Sequence, residues 1–387
     1  MAPLRKGRYD PSLKQAFEGN SSLTDVLTPL TFAHGPAMKN RFALAPLTNL
    51  QSHPDGVLSD EEFHWLTLRA KGGFGMTMTC AAHVQRQGQG FPGQLGVFGE
   101  EHLAGMTRLA KTIKADGSVA VVQLHHAGIR SPKDLIGQAP VGPSDDEATG
   151  ARGLSTAEVE QLVEDFVAAA HRAERAGFDG VEIHGAHSYI LCQFLSEGLN
   201  RRTDRYGGTP ENRSRVIKEI IAGIRERCRA DFSLGLRLSP ERFELKLPEI
   251  TALAQEVMSE GRIDYLDMSL WDYAKEPADE AFQGRTLMSY FTELDRGKVR
   301  LGCAGKIMSG ADVRACLERG MDFVFLGRAA ILHHDYPKLY AADPDLEPIA
   351  RPVPEAHLRA EGLSERFVGY MRSWKGFVAE PEKEAAE

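Results

Sequence analysis

Short apolar runs with β-strand propensity alternate with longer amphipathic stretches of helical period along most of the chain. This alternation is typical of a parallel sheet whose strands are joined by crossover helices. It predicts eight strands, at Phe42–Pro46, Gly75–Cys80, Val119–Leu124, Gly180–His184, Leu234–Ser239, Tyr265–Ser269, Val299–Cys303 and Phe323–Leu326. Eight such strands indicate an α/β protein built as a single (β/α)8 TIM barrel.

The clearest predicted helix precedes the fourth strand. Ser155 and Glu158 have the spacing of a capping box, and Gly177 provides a stop. Between them, apolar residues recur on one helical face: Val159, Leu162, Val163, Phe166, Ala170 and Ala173. The strand at Gly180 follows directly, so the two elements form one unit of the barrel.

The chain reads as one domain. No linker rich in Gly, Ser or Pro divides its 387 residues, and no internal repeat of about 20 to 50 residues is present. We therefore expect an N-terminal arm (1–26), a barrel (27–345), and a C-terminal helical extension with an acidic tail (346–387).

Composition and charge exclude several classes of function. The formal net charge of -8 argues against nucleic-acid binding, which needs a basic stripe. The five cysteines are dispersed and form no C-x-x-C pair, as expected in a reducing compartment. Because we find neither a signal peptide nor an apolar run of about 18 residues, we expect a cytoplasmic protein without a membrane partner.

Polar and glycine residues gather where the predicted strands end, which is where barrels of this class build their active sites. Gly305 and Gly327 allow close backbone approach to a phosphate, and Arg328 adds a positive charge. By themselves these residues indicate only a phosphate-binding barrel, and an aldolase or isomerase without flavin would share them. Glycine turns beside a surface arginine are the structural alternative.

A metal site is a further alternative at the same rim. His184, His187 and Cys192 lie within nine residues and offer soft ligands. Structural zinc sites use tighter, repeated Cys and His spacings, and no fourth ligand is evident. We therefore predict no metal.

The segment Asn200–Arg213 (NRRTDRYGGTPENR), preceded by His184–Tyr189 (HGAHSY), resembles the signature of the old yellow enzyme (NADH:flavin oxidoreductase) family. Further similar segments extend the resemblance from about Leu27 to about Tyr336: Ala45–Thr48, Gln123–Leu124, Arg237–Pro240 and Phe325–Arg328. Their occurrence in order is specific. We assign no chemistry to the long signature itself, which we interpret as a packed loop before a helix.

The resemblance implies a non-covalent FMN cofactor. It places these residues at the flavin: Ala45, Pro46, Leu47, Thr48, Ala81, Gln123, Arg237, Ala304, Gly305, Lys306, Gly327 and Arg328. Gln123 would pair with the pyrimidine edge of the ring, and Arg237 would stabilise the reduced ring. Without the resemblance, a barrel-interior Arg is equally well an ion-pair member and a lone Gln is inert.

The resemblance also implies reduction of an activated alkene, a small α,β-unsaturated carbonyl compound. His184 and His187 would bind the carbonyl oxygen, Tyr189 would donate a proton, and Trp271 would line the substrate site. Taken alone, the two histidines would be satisfied core residues. Tyr189 has an amphipathic core tyrosine as its alternative, and Trp271 could equally well only pack. The absence of a G-x-G-x-x-G segment after a strand suits NADH or NADPH as a transient reductant.

The subclass within the family stays open. Members that resemble the thermophilic-like branch usually have Cys at the position of Thr48, so Thr48 departs from that branch. The pair of His184 and His187, in contrast, is typical of it. The run Tyr370–Trp374 allows a homodimer in which Arg372 reaches a neighbouring active site, and a solvated surface helix is the alternative. A barrel that binds FMN but performs other redox chemistry also remains open.

Overall fold

The structure, a computed structural model, describes residues 26–380. Ten strands are present in this part of the chain: β1 Phe42–Leu44, β2 Met76–His83, β3 Val119–His125, β4 Val141–Gly142, β5 Arg152–Gly153, β6 Gly180–Gly185, β7 Ser233–Leu238, β8 Tyr265–Ser269, β9 Arg300–Ala304 and β10 Phe323–Leu326. Eight of them are parallel and close into a barrel in the order β1, β10, β9, β8, β7, β6, β3, β2. The predicted (β/α)8 barrel is confirmed.

Thirteen α-helices occur among the described residues: α1 Asp60–Lys71, α2 Leu103–Ala115, α3 Lys133–Ile136, α4 Thr156–Arg175, α5 Ile190–Leu195, α6 Pro210–Arg227, α7 Leu247–Glu260, α8 Ser289–Thr292, α9 Gly310–Glu318, α10 Arg328–Leu332, α11 Tyr336–Ala342, α12 Glu355–Ala360 and α13 Glu365–Arg372. Helix α4 begins with the predicted capping box between Ser155 and Glu158. None of the helices in this part of the chain combines the length and apolar character needed to cross a bilayer.

The strand ends differ slightly from the sequence prediction. Strand β1 stops at Leu44, because Pro46 has no backbone N–H to continue the ladder. Strand β2 runs on to His83 through an irregularity between Met78 and Ala81 and pairs with β3 as far as His125. The two-residue strands β4 and β5 were not predicted, since neither is long enough to show an alternating pattern.

The barrel interior is apolar at the bottom and polar at the top. Side chains on alternate strand positions face inward, and the lower positions form an apolar cluster that includes Met76, Val121 and Phe323. Gly235 leaves room there for Tyr265, whose ring would lie 2.1 Å from a Cβ at that position. Higher on the same strands the buried residues are polar: Gln123, Glu182, Arg237 and Asp267.

The chain after the last barrel strand packs against the first helix. Phe367 of α13 stacks on Trp65 of α1 with ring centroids 5.5 Å apart, and both residues are buried. The N-terminal arm and most of the acidic tail lie outside the described residues.

Candidate active site

A cavity of about 240 Å³ lies at the carboxyl ends of the barrel strands. It is lined by Ala45, Pro46, Leu47, His187, Arg237, Ala304, Gly305, Lys306, Ile307, Met308, Phe325, Gly327, Arg328 and Trp374. Most of the residues that the sequence places at the flavin are therefore brought together here. A second cavity, about 390 Å³, lies between α7 and α8 and has no carboxylate, imidazole or cationic side chain in its lining.

Three of the predicted flavin residues are not in that lining. Thr48 lies in the half-exposed loop after β1, and the carbonyl of Ala81 accepts a hydrogen bond from Gln94 Nε2 (2.7 Å). Gln123 is the register partner of Ala81 and is 1% exposed. Its Nε2 donates to Glu182 Oε1 at 2.7 Å, and its Oε1 accepts no hydrogen bond from residues 26–380. That oxygen is left for a donor outside the chain.

Arg237 forms an ion pair with a buried carboxylate on the neighbouring strand. Its Nε lies 2.9 Å from Asp267 Oδ2, and Asp267 is fully buried. Burial raises the pKa of Asp267 to about 6, even though Arg237 lowers it. The pKa of Glu182 is raised to about 8, by burial first and then by the charge of Asp267. One arginine and two carboxyl groups thus share the upper barrel interior.

The far end of the cavity suits a phosphate. Arg328 is half-buried, and its guanidinium has no carboxylate partner within the described part of the chain. Burial and the charge of Arg351 lower its pKa, and the charge of Asp272, which itself pairs with Lys306, offsets this only in part. A cation held in this way is poorly compensated, and an anion beside the backbone of Gly305 and Gly327 would compensate it. Lys306, by contrast, is exposed and already pairs with Asp272 (2.9 Å).

Two histidines and a tyrosine meet at the substrate end. Strand β6 ends at Gly185, and His187 and Ser188 then adopt left-handed backbone with φ of 61° and 58°. This turn brings Nδ1 of His187 within 3.3 Å of Nε2 of His184, and the Tyr189 ring centroid within 5.2 Å of that of His184. Strained backbone of this kind concentrates at functional sites.

Both histidines are neutral imidazoles. Burial lowers the pKa of each, and the nearby charges of Arg237 and Arg130 lower it further. Nε2 of His187 lies 2.6 Å from Ser269 Oγ, while Nδ1 of His184 is buried without a partner in the described structure. Burial raises the pKa of Tyr189, so its hydroxyl keeps its proton at neutral pH.

Trp271, predicted to line the substrate site, stands at the mouth. It is 47% exposed, and its ring meets that of His187 edge-on with centroids 6.4 Å apart. The guanidinium of Arg242 lies 4.2 Å from the centre of the Trp271 ring. Tyr273, two residues on, is bonded instead to Asp312 through its hydroxyl (2.8 Å).

The other histidines and the cysteine have different surroundings. His125 lies 4.3 Å from Tyr189 between ring centroids, whereas His126 accepts from the backbone N–H of Gly128 (3.0 Å) and is structural. Cys192 is buried, and burial raises its pKa to about 12. Across residues 26–380, no three His, Cys, Asp or Glu side chains are grouped to hold a metal ion.

In the C-terminal run Tyr370–Trp374, the arginine lies at the surface and the tryptophan lines the cavity. Arg372 is exposed and hydrogen-bonds to Glu355 of its own chain. Trp374 lines the cavity beside Arg328, a placement that the sequence does not predict. The sequence prediction also lacks Glu182, Asp267 and Ser269, although each occupies an inward-facing strand position that the alternating pattern reveals.

Comparison with known proteins identifies the family. The family model described as NADH:flavin oxidoreductase / NADH oxidase matches residues 25–343. The chain belongs to this family. The resemblance drawn from the motifs is thereby confirmed, and the chain is an NAD(P)H-dependent flavin oxidoreductase with FMN as its cofactor.

Individual relatives agree with this assignment. The probable NADH-dependent flavin oxidoreductase YqiG of Bacillus subtilis (strain 168) is 38% identical over 324 residues, which are 81% of this chain and 87% of the relative. An NADPH dehydrogenase of Bacillus pumilus (strain SAFR-032) is 31% identical, over 83% of this chain and 95% of the relative. The structure of morphinone reductase in complex with tetrahydroNAD aligns with a TM-score of 0.72 and 28% identity, covering 86% of this chain and 94% of the other.

The cavity fits the cofactor. Arg328 with Gly305 and Gly327 offers a site for the phosphate, and the free Oε1 of Gln123 with the guanidinium of Arg237 offers an acceptor and a cation to the ring. A flavin pyrimidine edge needs this kind of donor and acceptor set.

Proposed function

We propose that this flavin oxidoreductase reduces the carbon–carbon double bond of a small α,β-unsaturated carbonyl compound. The observation that carries the proposal is the approach of His184 Nε2 to His187 Nδ1, at 3.3 Å, with Tyr189 beside them. Two nitrogens at this separation can both donate to a single oxygen about 2.8 Å from each. An acceptor that gains negative charge during the reaction is the ligand that such a pair stabilises best.

The residues divide the reaction between them. When bound, FMN accepts a hydride from NADH or NADPH and delivers a hydride to the β carbon of the alkene. His184 and His187 hold the carbonyl oxygen and stabilise the charge that develops on it. Tyr189 supplies the proton to the α carbon, since its hydroxyl is protonated at neutral pH. Trp271 forms the outer wall of the substrate site.

The cofactor contacts belong to the same proposal. Gln123 and Arg237 would hold the ring, backbone groups of Ala45 to Thr48 and of Ala81 would line one side of it, and Arg328 would hold the phosphate together with the backbone of Ala304 to Lys306 and Gly327. In this arrangement the nicotinamide and the alkene use the same place beside His187 in turn.

Turnover of a simple enone tests the proposal. The purified protein should contain releasable FMN, and with NADH or NADPH it should convert 2-cyclohexenone to cyclohexanone with one reductant oxidised per product formed. The reaction is run without oxygen, because reduced flavin also reacts with oxygen. Oxidation of the reductant by a quinone or oxygen, with no saturated product from any enone, would show a flavoprotein with a different acceptor.

A further inference from the structure

Two buried carboxyl groups lie beside the proposed flavin contacts, on the neighbouring strands, and take no part in the chemistry described above. Glu182 on β6 and Asp267 on β8 face the barrel interior, and both have 0% exposure. Glutamate and aspartate are almost never fully buried unless they are paired, because removing a carboxylate from water is costly. Their presence at this level of the barrel therefore requires a reason.

Each carboxyl group is matched to one proposed flavin contact. Gln123 and Glu182 are register partners on β3 and β6, and the Gln123 amide donates to Glu182 at 2.7 Å. Arg237 and Asp267 are register partners on β7 and β8, with Nε and Oδ2 2.9 Å apart. The amide and the guanidinium thus each contact an acidic side chain of the neighbouring strand.

The pairing is incomplete. Arg237 Nε and both carboxylate oxygens of Asp267 are buried and make no hydrogen bond in the described structure, so their 2.9 Å contact is an ion pair only. Oε2 of Glu182 is also buried without a geometric hydrogen bond, although Tyr265 lies against it. Two ionised carboxylates beside one guanidinium would leave a net buried negative charge. A proton retained by one carboxyl group removes it, as in other close carboxyl pairs.

The charged and titratable groups around the pair are few. Arg237 and Asp267 face Glu182, Tyr265 lies against it, and the thiol of Cys303 on β9 lies near Asp267. Asp267 lies 2.9 Å from the guanidinium of Arg237, whereas the contact of Glu182 is the neutral amide of Gln123. The guanidinium therefore favours an ionised Asp267, and the retained proton is on Glu182, whose pKa is raised by burial and by the charge of Asp267.

We propose that Glu182 and Asp267 are positioning residues for the flavin: Glu182 fixes the orientation of the Gln123 amide, Asp267 fixes Arg237, and together they set the charge beside these two flavin contacts and hence the reduction potential of the flavin. The inference rests on the proposed contacts of Gln123 and Arg237 with FMN. A neutral Glu182 leaves Arg237 able to stabilise the anionic reduced ring. Loss of its proton places a negative charge in the same buried layer and opposes reduction.

The sign of the pH effect follows. Because the pKa of Glu182 lies at about 8, its proton is lost as the pH rises through that value. The midpoint potential of the bound flavin should then fall more steeply with pH than it does below pH 7. Reduction of the flavin should in turn raise the pKa of Glu182, since the two negative charges repel each other.

Redox titration of the bound flavin between pH 6 and 9.5 tests the proposal on the wild-type holoenzyme and on Glu182→Gln, Asp267→Asn and Glu260→Gln. Glu182→Gln has nearly the same shape and cannot ionise, so the added slope near pH 8 should disappear. Asp267→Asn leaves the Arg237 charge uncompensated and should favour the reduced flavin by about tenfold, which is about 30 mV for two electrons. Glu260→Gln removes one exposed carboxylate at the end of α7 and should reproduce the wild-type profile.

A wild-type profile with no added slope, or a Glu182→Gln profile that keeps it, would overturn the proposal. If a variant fails to retain FMN, the wild-type profile alone still decides. The outcome is separable from that of the proposed function: a protein that binds FMN and shows the predicted potentials without reducing any enone supports this inference while contradicting alkene reduction.

Discussion

Nδ1 of His187 and Nε2 of His184 lie 3.3 Å apart on the turn that follows β6, close enough to share one acceptor oxygen. Nε2 of His187 faces Ser269, which leaves Nδ1 as the nitrogen directed to His184. The pair is therefore built from the backbone turn and from a contact across to β8. Burial and the nearby arginines lower the pKa of both imidazoles, so each is neutral and carries one N–H, which can lie on the nitrogen that faces the shared oxygen.

Replacing either histidine should weaken enone turnover and phenol binding together. His184→Ala or His187→Ala removes one donor to the carbonyl oxygen, and loss of an oxyanion donor typically costs about 10² to 10³ in rate. The measurements are steady-state kinetics with an enone and a titration of the long-wavelength absorbance that phenols produce over oxidised flavin. His53→Ala, at an exposed position in the loop before α1, is the matched control and should change neither. Loss of turnover with unchanged phenol binding would contradict the shared-acceptor arrangement.

Arg328→Ala should release the cofactor. The half-buried guanidinium has no carboxylate partner among the described residues, so a phosphate contact would be charge-assisted and worth about 1.5 to 3 kcal/mol. The FMN dissociation constant of the apoprotein, followed by flavin fluorescence, should rise about ten- to hundredfold. Arg366→Ala on α13 removes an exposed arginine and serves as the control. Equal affinity in both variants would place the phosphate elsewhere.

The free energy of unfolding should decrease in mild acid, at pH values above those at which surface carboxylates become protonated. A buried histidine whose pKa in the folded state lies below 6.5 gains a proton when the protein unfolds in mild acid. Its contribution to stability is therefore fully present above pH 6.5 and is lost as the pH falls toward the folded pKa. The pKa of His83 is lowered to about 4 and that of His126 to about 3, by burial first, and those of His125 and His184 are also lowered.

Glu182 and Asp267 oppose this trend, because their raised pKa values make the folded state bind protons that the unfolded chain does not. The histidines outnumber them, so the free energy of unfolding should decrease between pH 6.5 and 5 by about 1.4 kcal/mol per pH unit for each net proton taken up on unfolding. Urea unfolding at several pH values measures it. Stability that is constant or rises toward pH 5 would mean that these histidines are protonated in the folded protein.

The sequence could predict the barrel and much of its rim for physical reasons. Strands β8 and β10 coincide with their apolar runs, and the polar residues at strand ends converge because parallel strands end at one edge. The support beneath the rim could not be predicted. The alternating pattern of β6 shows that Glu182 faces the barrel interior, but only the register between β3 and β6 shows that it pairs with Gln123. Trp374 lines the cavity because of how the C-terminal helices pack, and no local sequence pattern predicts that packing.

Arg372 offers a test of assembly. Within one chain it is exposed and pairs with Glu355, and ion pairs exposed to solvent in this way contribute little to stability. Arg372→Ala should therefore leave thermal stability, molar mass and the enone KM nearly unchanged. A several-fold rise in KM with normal FMN content would instead support a reach into the site of a neighbouring subunit. The substitution is cleaner than truncation, which would remove the buried Met371 and Phe377.

Stopped-flow measurement of both half-reactions in Tyr189→Phe tests whether Tyr189 protonates the alkene whose oxygen the two histidines hold. Phenylalanine keeps the ring and deletes the proton, and general acid catalysis is typically worth about 10² to 10⁴ in rate. Reoxidation of the reduced flavin by an enone should slow by that factor, while reduction by NADH or NADPH should stay within a few-fold of wild type. Tyr290→Phe, on α8 and away from the active-site cavity, should leave both steps unchanged. Equal slowing of both half-reactions in Tyr189→Phe, or slowing of neither, would show that Tyr189 is not the proton donor.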